Sequence, residues 1–170
     1  AGAIVVALAL ARAARGREWG VARGHFMRSL LLTSIFTAAE AAVLLAAGSS
    51  RHRWHAPSLT ARDAGLLLLW ALGQQFALQI TLLREAQAST SRTAGIFVAA
   101  VLFAALHVPN PFLTTVTFVA ALVWCAIYDR HPNVIPLALS HAVLTLVVLS
   151  ALDAATTGHL RVGAAYLGLR

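Results

Sequence analysis

Charge is scarce in this chain of 170 residues. Charged side chains make up 11% of the chain and hydrophobic ones 59%, whereas soluble domains carry about 25% charged residues. A soluble fold would not leave so little polar surface, and several stretches approach the roughly 20 apolar residues that cross a bilayer. The composition therefore excludes an ordinary soluble domain and predicts an integral membrane protein.

Lysine is absent, and all thirteen basic residues are arginines. The net charge of +7 is spread over the connecting segments and forms no dense basic tract. This distribution argues against nucleic acid as a partner and favours contact with anionic lipid headgroups. A GC-rich bacterial coding bias explains the missing lysine most simply, so we expect a multi-pass protein of a bacterial inner (cytoplasmic) membrane.

Cysteine occurs once, as Cys125, so the chain forms no internal disulfide. The apolar runs are continuous and do not alternate with polar residues, which excludes transmembrane strands and predicts helices, whose backbone hydrogen bonds are satisfied internally. We predict one membrane domain over residues 1–170, an all-α polytopic helix bundle of about five to six spans. Residues 1–11 are interpreted as the cropped end of a first helix. The complete spans are predicted at 30–47, 65–83, 93–107, 112–128 and 134–152.

The connecting segments indicate an orientation. Residues 12–28 combine arginines with aromatic side chains, as an interfacial segment does, and residues 84–92 are predicted to be a polar turn whose Ser89, Thr90 and Ser91 can cap helices. Eight arginines lie on the side of segments 12–28, 84–92 and 129–133, and five lie on the other side. The first side is therefore predicted to be cytoplasmic.

Polar side chains inside three of the spans are the most informative feature. Marked positions recur four residues apart in each span, which places each pair on one helix face. Polar groups inside a bilayer are costly and usually face the bundle interior or a site. Three such faces predict one buried polar pocket. The pairs are Gln75 with Gln79, Phe103 with His107, and His141 with Thr145, and Gln74 adjoins the first of them.

The order and spacing of these residues resemble the CPBP family of intramembrane proteases, which includes CAAX prenyl proteases and bacteriocin-processing proteins. That family carries Glu-Glu-x-x-x-Arg on one span, Phe-x-x-x-His on the next and His-x-x-x-Asn on a later one. Phe103 and His107 match the second motif, and His141 matches the histidine of the third. The resemblance covers about residues 65–152.

The chain departs from the family at its charged positions. Gln74 and Gln75 stand in place of the two glutamates, Gln79 in place of the arginine, and Thr145 in place of the asparagine. In the family the first glutamate is taken to activate a water, with the histidines assisting or binding metal. A carboxamide cannot take up that proton, and general-base catalysis contributes about 10²–10⁴-fold in rate. We therefore interpret the chain as a degenerate member of the family with little or no proteolysis and a binding or scaffold role toward other membrane polypeptides. Its pocket is predicted to be formed by Gln74, Gln75, Gln79, Phe103 and Thr145.

Glu40 leaves an alternative open, because it lies in the middle of span 30–47. It is either a relocated carboxylate, which makes the protein an active endopeptidase with His107 and His141 as the other catalytic residues, or a protonated or hydrogen-bonded glutamate that stabilises helix packing, which we prefer. A third hypothesis is a structural subunit of a larger membrane complex, its histidines serving packing or a pigment. Two histidines are an incomplete zinc site, so we predict no metal and no cofactor. The expected partners are membrane lipids and other membrane polypeptides or subunits.

Overall fold

Helices account for nearly all of the regular structure. The computed structural model describes residues 2–16, 19–49 and 59–168. A wide, π-type stretch, Ala77–Leu83, joins two of the helices into one continuous rod, Ala61–Ser89. The helices are α1 Gly2–Gly16, α2 Phe26–Ser49, α3 Ala61–Phe76, α4 Arg84–Ser89, α5 Arg92–Ala105, α6 Pro111–Arg130, α7 Val134–Ala151 and the short α8 Ala154–Thr157.

Four helical segments of the described chain are long and apolar enough to cross a membrane: Arg23–Ser49, Ala61–Ser89, Pro111–Arg130 and Val134–Ala151. α1 and α5, with 15 and 14 residues, are shorter than the roughly 20 residues of a full crossing. The protein is thus an all-α, multi-pass membrane bundle, and the predicted fold class is confirmed. The arrangement also places α1 against the π-type stretch, so the first helix belongs to the same bundle.

Short polar side chains determine where the helices begin. Thr60 forms a reciprocal capping box with Asp63 at the start of α3, and Ser91 accepts a hydrogen bond from the N–H of Ala94 at the start of α5. Asn110 and Asn133 cap α6 and α7 in the same way. Each cap satisfies an N–H that the first helical turn leaves unpaired. The predicted spans 93–107, 112–128 and 134–152 therefore differ from the observed helices by only one or two residues at each end.

The predicted polar turn at 84–92 is wrong over most of its length, because α4 continues the helix to Ser89. Its polar side chains find partners on α6: the guanidinium of Arg84 lies 5.4 Å from the ring centre of Tyr128, and Gln87 Nε2 donates to Asp129 Oδ1 at 2.9 Å. A polar sequence thus stays helical where a neighbouring helix satisfies its side chains. The interfacial segment 12–28 is also partly helical, since α1 extends to Gly16.

Two contacts tie the helix ends together on the side where α6 ends and α7 begins. Arg92 Nε and Asp129 Oδ2 form an ion pair at 2.6 Å between α5 and α6. The N–H of Val134 donates to the carbonyl of Gly20 at 2.8 Å, which fixes the segment before α2 against the turn between α6 and α7. These contacts leave the opposite end of the bundle, where α5 stops at Ala105, as the place where a cavity can open.

Gly95 permits the close approach of α5 to α4. A Cβ added there would lie 2.7 Å from the backbone nitrogen of Gln87, whereas a Cβ at Gly65 would meet nothing within 4 Å. We expect Gly95→Ala to lower the free energy of unfolding by about 1–3 kcal/mol, as overpacking does. Gly65→Ala, the matched control in α3, should be neutral or should stabilise by up to about 1 kcal/mol through helix propensity. Denaturation in detergent measures both; equal responses would contradict the packing assigned to Gly95.

Candidate functional site

An intramembrane cavity of about 450 Å³ lies between α2, α3, α5, α6 and α7. Its wall is mostly apolar, with a small set of polar side chains, which is the usual composition of a binding pocket. Most of the residues predicted to share one pocket therefore do share it. Those that line the cavity are Glu40, Gln74, Phe103, His107, His141 and Thr145.

Gln75 and Gln79 lie behind the cavity wall, fully buried in the bundle. Gln79 Nε2 donates to Gln75 Oε1 at 3.2 Å, and Gln75 Nε2 lies 3.4 Å from His141 Nδ1. The backbone that carries Gln79 belongs to the π-type stretch, a feature often found at functional sites. The glutamine cluster thus divides into one amide facing the cavity, Gln74, and two that support a histidine from behind.

His107 sits just past the end of α5, where the helix stops at Ala105. Its Nδ1 is 2.9 Å from the carbonyl oxygen of Phe103. Because a carbonyl only accepts, Nδ1 carries the proton and Nε2 carries the lone pair. The imidazole therefore has a defined tautomer, with its second nitrogen available as a hydrogen-bond acceptor.

His141 is held by aromatic rings. Its ring stacks on Trp124 at 4.9 Å between centroids and 22° between planes, and Phe103 presents its edge at 6.4 Å. Phe103 also contacts His107 at 5.1 Å, so one phenylalanine touches both imidazoles. The predicted pairing of Phe103 with His107 thus extends to His141.

Trp124 is the residue that sequence reasoning missed. It lines the cavity and its Nε1–H donates to Ser140 Oγ at 3.1 Å, while the hydroxyl of Thr37 lies 2.7 Å from the same oxygen. An aromatic residue in an apolar span looks like ordinary core. The available signal was its indole N–H, which needs a partner when buried.

Glu40 faces the cavity. Among the described residues its buried Oε2 has no hydrogen-bond partner, and neither histidine is bonded to it. The preferred prediction, a protonated or hydrogen-bonded glutamate that stabilises packing, stays a prediction, and the relocated-base alternative lacks a hydrogen bond between the carboxyl and either imidazole. The Glu40 carboxyl does lie in the wall of the cavity that both histidines line.

Thr145 cannot donate a hydrogen bond into the cavity as the amide of the family's asparagine could. Its hydroxyl donates to the carbonyl of His141 at 2.9 Å within α7, which uses its one proton. The described residues also contain no group of three or more histidine, cysteine, aspartate or glutamate side chains placed to hold a metal. Since zinc sites take three or four protein ligands, His107 and His141 do not fit that role as they stand.

The comparison with protein families agrees with this geometry. Residues 4–147 match the model of the family described as "Type II CAAX prenyl endopeptidase Rce1-like". The chain belongs to this family. No curated protein and no solved structure matches the chain. The match begins well before residue 65, so the family fold includes α1 and α2, which the motifs alone did not indicate.

Proposed function

We propose that this CAAX-protease-like membrane protein binds segments of other membrane polypeptides in its cavity and does not cleave them. One observation carries the proposal: carboxamides stand at all three charged positions of the family motif, where Gln74 faces the cavity and Gln79 donates to Gln75, whose amide lies beside His141. Carboxamides donate and accept hydrogen bonds but cannot act as a general base. The cavity therefore keeps the means to bind a peptide and lacks the glutamate with which the family motif activates water.

The chemistry of the wall supports a peptide ligand. Apolar side chains surround a few groups that can pair with backbone amides, among them the Gln74 carboxamide and the Nε2 of His107. Most of the polar residues lie on helices long and apolar enough to cross a membrane, so we infer that the ligand reaches them from the lipid or from the end of the bundle. We place the protein in the inner membrane of a bacterium, with membrane lipids and membrane polypeptides as its partners.

A photo-crosslinking experiment tests binding without cleavage. A benzophenone amino acid replaces Thr145 in the cavity wall, and the control places it at Val143 on the same helix, which is 44% exposed. The probe is a prenylated peptide of CAAX type, the substrate class in the family's name. We expect crosslinks from position 145 and not from 143, and recovery of the peptide at its full mass.

Two results would contradict this proposal. Equal crosslinking from both positions would show that the peptide partitions into lipid and does not enter the cavity. Cleavage of the peptide by the unchanged chain would support the alternative of an active endopeptidase. In that case Glu40→Gln should abolish cleavage, because Glu40 is the carboxyl that lines the cavity, while His107→Ala and His141→Ala should do the same.

A further inference from the structure

The segment after α8 closes one end of the cavity. Leu160, Val162 and Gly163 form part of the wall on the side of His107. Arg161 and Val162 have extended backbone, with φ −83° and ψ 150°, and φ −134° and ψ 160°. Extended backbone is one of the recurring conformations of bound peptides. The chain itself thus supplies a two-residue extended stretch at the cavity wall, Arg161 and Val162, flanked by Leu160 and Gly163, whose φ angles are positive.

The backbone carbonyl of Val108 and the side-chain amide of Asn110 hold this stretch in place. The N–H of Gly163 donates to the carbonyl of Val108 at 3.0 Å, and Asn110 Nδ2 donates to the carbonyls of Thr157 and Arg161 at 2.9 and 3.0 Å. Asn110 Oδ1 accepts from the N–H of Leu113, which fixes the orientation of the amide. None of these bonds involves a side chain of the held segment, so another extended segment can form the same kind of bond.

The turn that places Leu160 in the cavity is strained. His159 and Leu160 both have φ of 54°, in the left-handed region that residues other than glycine avoid. Leu160 packs against the core, whereas His159 is exposed. The contacts of Leu160 and the bonds from Asn110 therefore hold a backbone that would relax if they were lost. Such a segment is suited to displacement.

We propose that residues 160–163 occupy a subsite for an extended, apolar segment of the partner polypeptide, and that the partner displaces them. This inference rests on the proposed function and specifies which part of the partner is recognised. The Val108 carbonyl takes a backbone N–H of the partner, Asn110 donates to its carbonyls, and an apolar side chain replaces that of Leu160.

Thiol labelling measures the displacement. Thr145→Cys places a reporter in the cavity wall, and the native Cys125 is fully buried and serves as background. In lipid nanodiscs, adding Leu160→Ala or Asn110→Asp should raise the maleimide labelling rate about tenfold, since each removes contacts that hold the segment in place; tenfold corresponds to about 1.4 kcal/mol. Asn110→Asp keeps an oxygen that can cap α6. His159→Gly, which relieves the strain and keeps the contacts, should slow labelling.

Peptide binding then tests the identity of the subsite. The probe is a fluorescent synthetic peptide of residues 158–164, added to the full chain. We expect Leu160→Ala to bind it about tenfold more tightly than the unchanged chain, and the added Asn110→Asp to abolish that gain. Equal labelling rates in all variants would overturn the proposal, as would faster labelling without peptide binding. Failure of the proposed function has a separate readout, cleavage of the CAAX-type peptide by the unchanged chain.

Discussion

Replacing Gln74 and Gln75 by glutamate and Gln79 by arginine should convert the chain into a protease. Gln74 faces the cavity that both histidines line, so a carboxylate there can take a proton from a water beside them. The arginine at position 79 lies one helical turn from the glutamate at position 75, in place of the present hydrogen bond between Gln79 and Gln75. It neutralises the charge of that buried glutamate. We expect cleavage of the CAAX-type peptide to rise by about 10²–10⁴-fold over the parent chain, measured by mass spectrometry of the products.

Partial replacements separate chemistry from folding. Gln75→Glu alone buries a charge without its partner, which costs about 3–5 kcal/mol, so this variant should be unstable and inactive. The triple variant with His107→Ala should fold and remain inactive, because the motif's imidazole is gone. A folded triple variant that binds the peptide and leaves it intact would contradict the assignment of Gln74 to the position of the missing base.

Trp124→Ala should strongly destabilise the bundle. The side chain is 2% exposed, stacks on His141 and donates to Ser140, so its removal leaves both a cavity and a lost hydrogen bond. We expect the free energy of unfolding to fall by about 3–5 kcal/mol, measured by denaturation in mixed micelles. The stacked imidazole also loses its support, so crosslinking from position 145 should weaken.

Trp70→Ala is the matched control. Trp70 also borders the cavity but is 53% exposed, so its loss should change the free energy of unfolding by no more than about 0.5 kcal/mol. Similar losses for the two tryptophans would indicate that the stack on His141 contributes little. A loss confined to Trp124 would assign the stability to that stack and to the Ser140 hydrogen bond.

The sequence was sufficient for α5, α6 and α7 and for most of the pocket, but not for α4, which was predicted to be a turn. Apolar length, with a serine cap before α5, located these three helices closely, and residue spacing predicted that His107 and His141 share one pocket. Residue spacing could not show which glutamine side chains face the cavity and which are buried behind its wall. Gln75 and Gln79 are hydrogen-bonded to each other but do not face the cavity, because Gln75 lies about 100° around α3 from the cavity-lining Gln74.

The segment 158–163, which closes one end of the cavity, could not be predicted from the sequence either. Residues 158–163 read as a mixed tail, and their role depends on Asn110, which looks like a simple cap between two prolines. Only the fold brings that amide to carbonyls about 50 positions later, at separations of 47 and 51 residues. Contacts over such separations follow from packing and not from local pattern.

The π-type stretch also sets the rotation between the two ends of the rod Ala61–Ser89. A π-type turn contains more residues than an α-turn, so the side chains after Leu83 are rotated relative to those before Ala77. The upstream end therefore directs Gln74 to the cavity, while the downstream end directs Arg84 and Gln87 to α6. One rod thereby contacts the cavity at its upstream end and α6 at its downstream end, and the family's charged motif, residues 74–79, overlaps the start of the π-type stretch between them.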